Sequence, residues 1–168
     1  MTMNKLLLII SLVIPIMTYA KIGKLKGLRI DSSKVYFNDE SIQPPFELAE
    51  LKEVLGKPRK REGNVNDLYI WNRYGIMCYC QHKSQNVNSI DITYSYNWFA
   101  NPIRLFRSDL VIDGKNIFKK FKKKDFLALG FEKDGLPQYL EYKFGNFKIL
   151  VEFHEKREKL IGISIDQL

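Results

Sequence analysis

VYFNDESI (Val35 to Ile42) is matched 75 positions later by LVIDGKNI (Leu110 to Ile117). Both are short apolar runs broken by a turn pair, Asn38-Asp39 in one and Asp113-Gly114 in the other. Gly, Asn and Asp tolerate the positive φ of tight turns, so each run predicts a β-hairpin. A helix pattern follows each. In PPFELAELKEVLGKP, Leu48, Leu51 and Leu55 share one helical face, Pro45 stands near the start, and Gly56 and Pro58 stop it. In KKFKKKDFLALGFEKDG, Phe121, Phe126, Leu127 and Leu129 form the stripe and Gly130 the stop. These patterns predict helices near residues 46–55 and 119–129.

Strands come next. YIWNRYG (Tyr69 to Gly75) aligns with YLEYKFG (Tyr139 to Gly145) at an offset of 70. The shared glycine predicts a turn into the next strand. SIDITY (Ser89 to Tyr94) and IGISID (Ile161 to Asp166) close the two runs with apolar alternation. The sequence therefore predicts an α+β domain of two tandem halves, about 28–98 and 99–168. Each half is a hairpin, a short helix and a three-stranded antiparallel meander. A parallel pair of strands or a missing second helix would count against the duplication.

The order resembles a known architecture. A helix, an LG-x-P break and a meander, duplicated in an exported chain, is similar to the β-lactamase inhibitor protein fold. It is also similar to the small outer-membrane assembly lipoproteins of the SmpA/OmlA type. ELKEVLGKPRK (Glu50 to Lys60), NDLYIWNRYGIMCY (Asn66 to Tyr79) and LVIDGKNI more closely resemble an uncharacterised family of exported bacterial proteins. Such proteins are suspected of being immunity proteins against secreted antibacterial toxins. The resemblance covers most of residues 30–118. Its motifs are structural, and it implies a fold more than an activity.

Export is the expectation from residues 1–20. Lys5 precedes the apolar run Leu6 to Met17, and Thr18-Tyr19-Ala20 supplies a cleavage site. Twelve apolar residues are too few to span a bilayer, which takes about 20. No later run of spanning length occurs, so no transmembrane segment is expected after cleavage. The expected location is periplasmic or secreted. The whole chain carries a net charge of +8. That excess suits an anionic partner or surface, and equally a solvated basic exterior.

GIMCYCQH holds Cys78, Cys80 and His82 at a spacing of two. On a strand these side chains share one face, with Cα atoms about 7 Å apart. Zinc needs each sulfur about 2.3 Å from the ion, so without a bulge they cannot converge on it. The residues read as one half-buried strand face rather than a strained disulfide or a metal site. There is no GxSxG, HExxH or P-loop. Asp67, Asp91, Glu141 and Glu152 read as scattered surface carboxylates. A non-enzymatic role with no cofactor or metal is expected. Nucleic acid is a poor fit to an exported chain without a reader motif.

A binding role points to aromatic and Arg residues, the types that dominate interfaces. Trp71, Arg73 and Tyr79 are candidates on the sheet. Trp98, Phe99 and Arg104 are candidates in YSYNWFANPIRLF (Tyr94 to Phe106), whose aromatics can also fill the seam between halves. Lys122, Lys123 and Lys124 belong to KKFKKK, where cations oppose the dipole of the helix they begin. These residues suit a protein partner, a secreted toxin among them, or an anionic surface. The leading expectation is an immunity protein that occludes a toxin. The alternative is an envelope structural or assembly factor that binds membrane proteins or anionic lipid.

Overall fold

The structure, a computed structural model, describes residues 24–96 and 101–168. The proposed signal segment and the candidates Trp98 and Phe99 lie outside the described residues.

The expected hairpins are present. β2 (Val35–Phe37) pairs with β3 (Glu40–Ile42), and β8 (Asp109–Ile112) pairs with β9 (Lys115–Ile117). Their turns require positive φ at Asn38 (58°), Asp113 (50°) and Gly114 (69°), as the turn pairs predict. The Asn38 carboxamide oxygen also accepts the Lys26 N–H at 2.8 Å, tying the hairpin to the chain before it.

α1 (Leu48–Leu55) buries Leu48, Leu51, Val54 and Leu55. Glu50 closes the first turn by accepting the Glu47 N–H, and Gly56 ends the helix at φ 78°. α2 (Lys123–Ala128) is shorter than expected and starts later. Phe121 is taken up by a turn in which its N–H donates to Phe118. The Asp125 carboxylate then accepts the Lys122 N–H at 2.7 Å and starts the helix. Only Phe126 of this helix is buried, and Leu127 is exposed, so the predicted apolar stripe is narrower than the sequence suggests.

Each helix is followed by four strands, not three. After α1 come β4 (Arg59–Arg61), β5 (Asn66–Trp71), β6 (Ile76–Gln81) and β7 (Val87–Thr93). After α2 come β10 (Glu132–Lys133), β11 (Tyr139–Phe144), β12 (Phe147–Phe153) and β13 (Leu160–Gln167). They form one antiparallel sheet of eight strands, ordered β10-β11-β12-β13-β7-β6-β5-β4. The two runs meet where β7 pairs with β13, with Ile92 opposite Ile163 and Ile90 opposite Ile165.

The hairpins leave this sheet and join a second one, ordered β3-β2-β1-β8-β9. Its middle strand β1 (Gly27–Ile30) precedes the first hairpin and pairs in parallel with β8. The pair departs from the antiparallel expectation. It lies outside the recurring hairpin–helix–strand order, and it forms because residues 101–108 return the chain to the start of β1. There the Asp109 N–H donates to the Lys26 carbonyl at 3.2 Å.

The fold is thus α+β, with both sheets and both helices packed on one apolar core. Phe46 stacks on Phe147 at 5.8 Å, and Phe126 takes edge contacts from Phe121, Phe131 and Phe153. Such aromatic pairs add specificity to the area they bury.

Candidate functional site

The β5–β6 turn places Arg73. Gly75 sits in it at φ 74°, and a Cβ there would stand 2.2 Å from the Phe106 nitrogen. Glycine is needed because the segment 101–108 crosses the turn in direct contact. That segment is fastened by backbone bonds. Arg104 N–H donates to the Asn72 carbonyl (3.2 Å) and Phe106 N–H to the Thr93 carbonyl (2.8 Å). The Asn72 side chain accepts the Ile103 N–H at 3.0 Å. At its far end, the Ser108 hydroxyl donates to the Leu25 carbonyl at 2.6 Å.

These bonds enclose a cleft of about 760 Å3 between the β5–β6 turn, the crossing segment and the residues before β1. Lys24, Lys26, Arg73, Arg104 and Arg107 line it, together with the carboxylate Asp109. All five cations belong to exposed residues. Cations gathered around a concave surface focus a positive field. Guanidinium groups add paired, directional donors for carboxylate or phosphate. Two sequence-predicted residues, Arg73 and Arg104, therefore meet in one site. Arg73 stands in the turn rather than on a strand.

The other predicted residues are dispersed. Trp71 is buried in the core, and its indole N–H donates to the Gly56 carbonyl at 2.7 Å. Burial removes it from the candidate surface. β5 ends at this residue, and its side chain falls on the covered face of the sheet. Tyr79 is half-buried on the opposite face, against Leu68, Ile70 and Met77. Lys122 and Lys124 are exposed before and within α2, whereas the Lys123 ammonium donates to the Pro137 carbonyl.

Cys78 and Cys80 are free thiols in the main core, wholly buried rather than half-buried. The hydrogen bond with Cys80, and then burial, push the Cys78 thiol up and hold it neutral. His82 does not share their surroundings: its Nδ1 lies 2.9 Å from Asp67 Oδ1. Asp67 is not a surface carboxylate. It is buried, and Lys60 Nζ stands 3.1 Å from its other oxygen. Hydrogen bonds from His82 and Lys60 hold it well below the usual carboxylate range. The trio clasps β4, β5 and the end of β6.

A second acidic group was not legible in the sequence. On the outer face of the eight-stranded sheet, Asp91 and Glu152 line a hollow of about 290 Å3 with Met77, Tyr79, Tyr139 and Ser164. Desolvation pushes Asp91 up to about 6, with Asp166 and Glu152 repelling its charge. Burial also raises Glu152 and Asp166. The Ser164 hydroxyl donates to Asp166 at 3.2 Å. The available signal was the polar alternation of SIDITY and IGISID. It becomes a cluster only through the β7–β13 register, which sets Asp91 opposite Ser164.

Among the described residues, no helix is long and apolar enough to cross a membrane. No curated protein and no solved structure matches the chain. Residues 27–127, from β1 into α2, match DUF7738, a domain of unknown function. The match covers more than half of the 168 residues, and the chain belongs to the DUF7738 family.

Proposed function

We propose that this protein is an exported, non-catalytic binding protein that holds an acidic partner protein in its basic cleft. An immunity protein holds the antibacterial toxin it neutralises in this manner. The observation that carries the reading is the convergence of Arg73 and Arg104, 31 positions apart in sequence, on one cleft with Lys24, Lys26 and Arg107. The cations steer encounter with an acidic surface. The arginine forks then fix carboxylate groups that enter the cleft, and the bound partner is occluded by the bulk of the domain. Export is supported by the charged and apolar pattern of residues 1–20.

The test is capture from envelope extract with the wild-type protein and with an Arg73→Glu, Arg104→Glu double variant, at low and high salt. The reading expects one acidic protein, retained by the wild type, released by salt and lost with the variant. Produced without its binder, that protein should arrest growth. Equal retention by wild type and variant overturns the reading. Retention on anionic vesicles with no protein captured overturns it in favour of an envelope factor on a lipid surface.

A further inference from the structure

Beside the basic cleft lies a second hollow, of about 490 Å3. Arg107, Ser108 and Asp109 line both, so the two are continuous across that segment. The chemistry changes across it. The second floor is apolar and fully buried: Tyr94, Phe106, Leu110 and Ile117. Phe106 meets the Tyr94 ring edge-on at 5.6 Å.

Two features of this hollow are unusual for a surface with only a packing role. The Tyr94 hydroxyl is buried and has no hydrogen-bond partner in the protein, whereas buried hydroxyls are nearly always paired. At the rim, Phe118 is 51% exposed although Phe121 packs edge-on against it at 5.2 Å. Lys119 stands beside it on the same rim. A volume of this order accepts a large side chain. An exposed phenyl offers a stacking face. The hydroxyl offers a polar contact that the indole N–H of Trp or the phenol of Tyr can meet and an aliphatic side chain cannot.

We infer that this hollow receives an aromatic side chain with a polar edge, Trp or Tyr, borne by the same acidic segment that the adjoining cleft holds. The inference rests on the proposed function, since the cleft supplies the anchor's neighbours. Recognition then joins two chemistries on one short segment: carboxylates against Arg73, Arg104 and Arg107, and one aromatic ring between Phe118 and Tyr94. An aromatic anchor flanked by charge is the usual form of an interface hot spot.

Titration calorimetry with two synthetic peptides tests it: a short Asp/Glu peptide, and the same peptide with one Trp added. The full chain serves as wild type, and as Tyr94→Phe, Phe118→Ala and Arg104→Glu variants. Tyr94→Phe keeps the shape of the floor, and Phe118→Ala changes an exposed residue, so both should fold. On the wild type, the Trp peptide should bind about ten-fold more tightly than the plain one. Tyr94→Phe and Phe118→Ala should each remove most of that gain and leave the plain peptide unchanged. Arg104→Glu should weaken both peptides together. Equal affinities on the wild type, or a Trp gain that survives both hollow substitutions, overturns the anchor while the cleft stands. Failure of both peptides to bind the wild type overturns the cleft and the anchor together.

Discussion

Asp91→Asn should stabilise the protein at neutral pH, although it removes a charge from a sheet facing three other polar groups. In the folded state the carboxyl titrates at about 6 against an ordinary 3.8, chiefly through desolvation. Between those values the folded chain keeps a proton that the unfolded chain has released. Stability is therefore full below about 3.8 and falls as pH rises to about 6. At about 1.4 kcal/mol per pH unit, the loss has an upper bound of about 3 kcal/mol. Asparagine is nearly the same size and carries no charge to desolvate. Urea denaturation at about pH 4 and pH 7 should show the wild type losing stability on the way up. The variant should lose less, and should exceed the wild type by about 1–3 kcal/mol at pH 7. Some slope of the same sign should remain, because burial also raises Glu152 and Asp166. A wild type that gains stability from pH 4 to 7 more steeply than the variant would refute the argument. So would a variant that is weaker at pH 7.

Trp71→Phe should cost about 1 kcal/mol through the lost bond to Gly56, and Trp71→Ala about 3–5 kcal/mol. Partner binding by the folded fraction should not change, a result that separates core from interface. Gly75→Ala should cost about 3 kcal/mol or more, because its Cβ would overlap the Phe106 backbone at positive φ. Gly114→Ala, also at positive φ but with open space around it, should cost about 1 kcal/mol in the same urea series. Cys78→Ser should lower stability by about 1–3 kcal/mol, since it puts a stronger polar group into a sealed core; an unchanged urea midpoint would contradict that burial. N-terminal sequencing of exported protein should find cleavage within a few residues of Ala20, and a chain beginning at Met1 would end the export reading.

Local chemistry was legible wherever a few adjacent residues decide the backbone. Asn38 and Asp113-Gly114 marked their turns, and Leu48, Leu51 and Leu55 marked the buried face of α1. Shared glycines at Gly75 and Gly145 marked the entries to β6 and β12. Elements held mainly by a neighbour's backbone were not legible. β4 is Arg-Lys-Arg and exposed throughout, β10 is two exposed residues, and neither carries the alternation that announces a strand. β1 is four residues whose parallel partner lies 82 positions away, a pairing that no local pattern encodes. The candidate site divides the same way. Arg73 and Arg104 were chosen by residue type, but their meeting depends on where residues 101–108 run. Trp71 was chosen on the same ground, and one residue of strand phase puts it in the core. Asp91 was passed over because its neighbours Glu152 and Ser164 come from the other half of the sheet.

The crossing segment also decides what charge substitutions can report. Its position is set by backbone bonds from Arg104, Phe106 and Asp109, by the side chains of Asn72 and Ser108, and by the buried ring of Phe106. None of these bonds uses a guanidinium or ammonium group. The five cations are therefore mounted on a frame that their own side chains do not hold together. Exposed charges removed one at a time from such a frame usually change stability by about 0.5 kcal/mol or less. A large loss of binding in Arg73→Glu or Arg104→Glu would then measure recognition rather than unfolding. The same loss in Gly75→Ala or a changed Asn72 would measure the frame. Comparing the two kinds of substitution separates the chemistry of the cleft from the construction that assembles it.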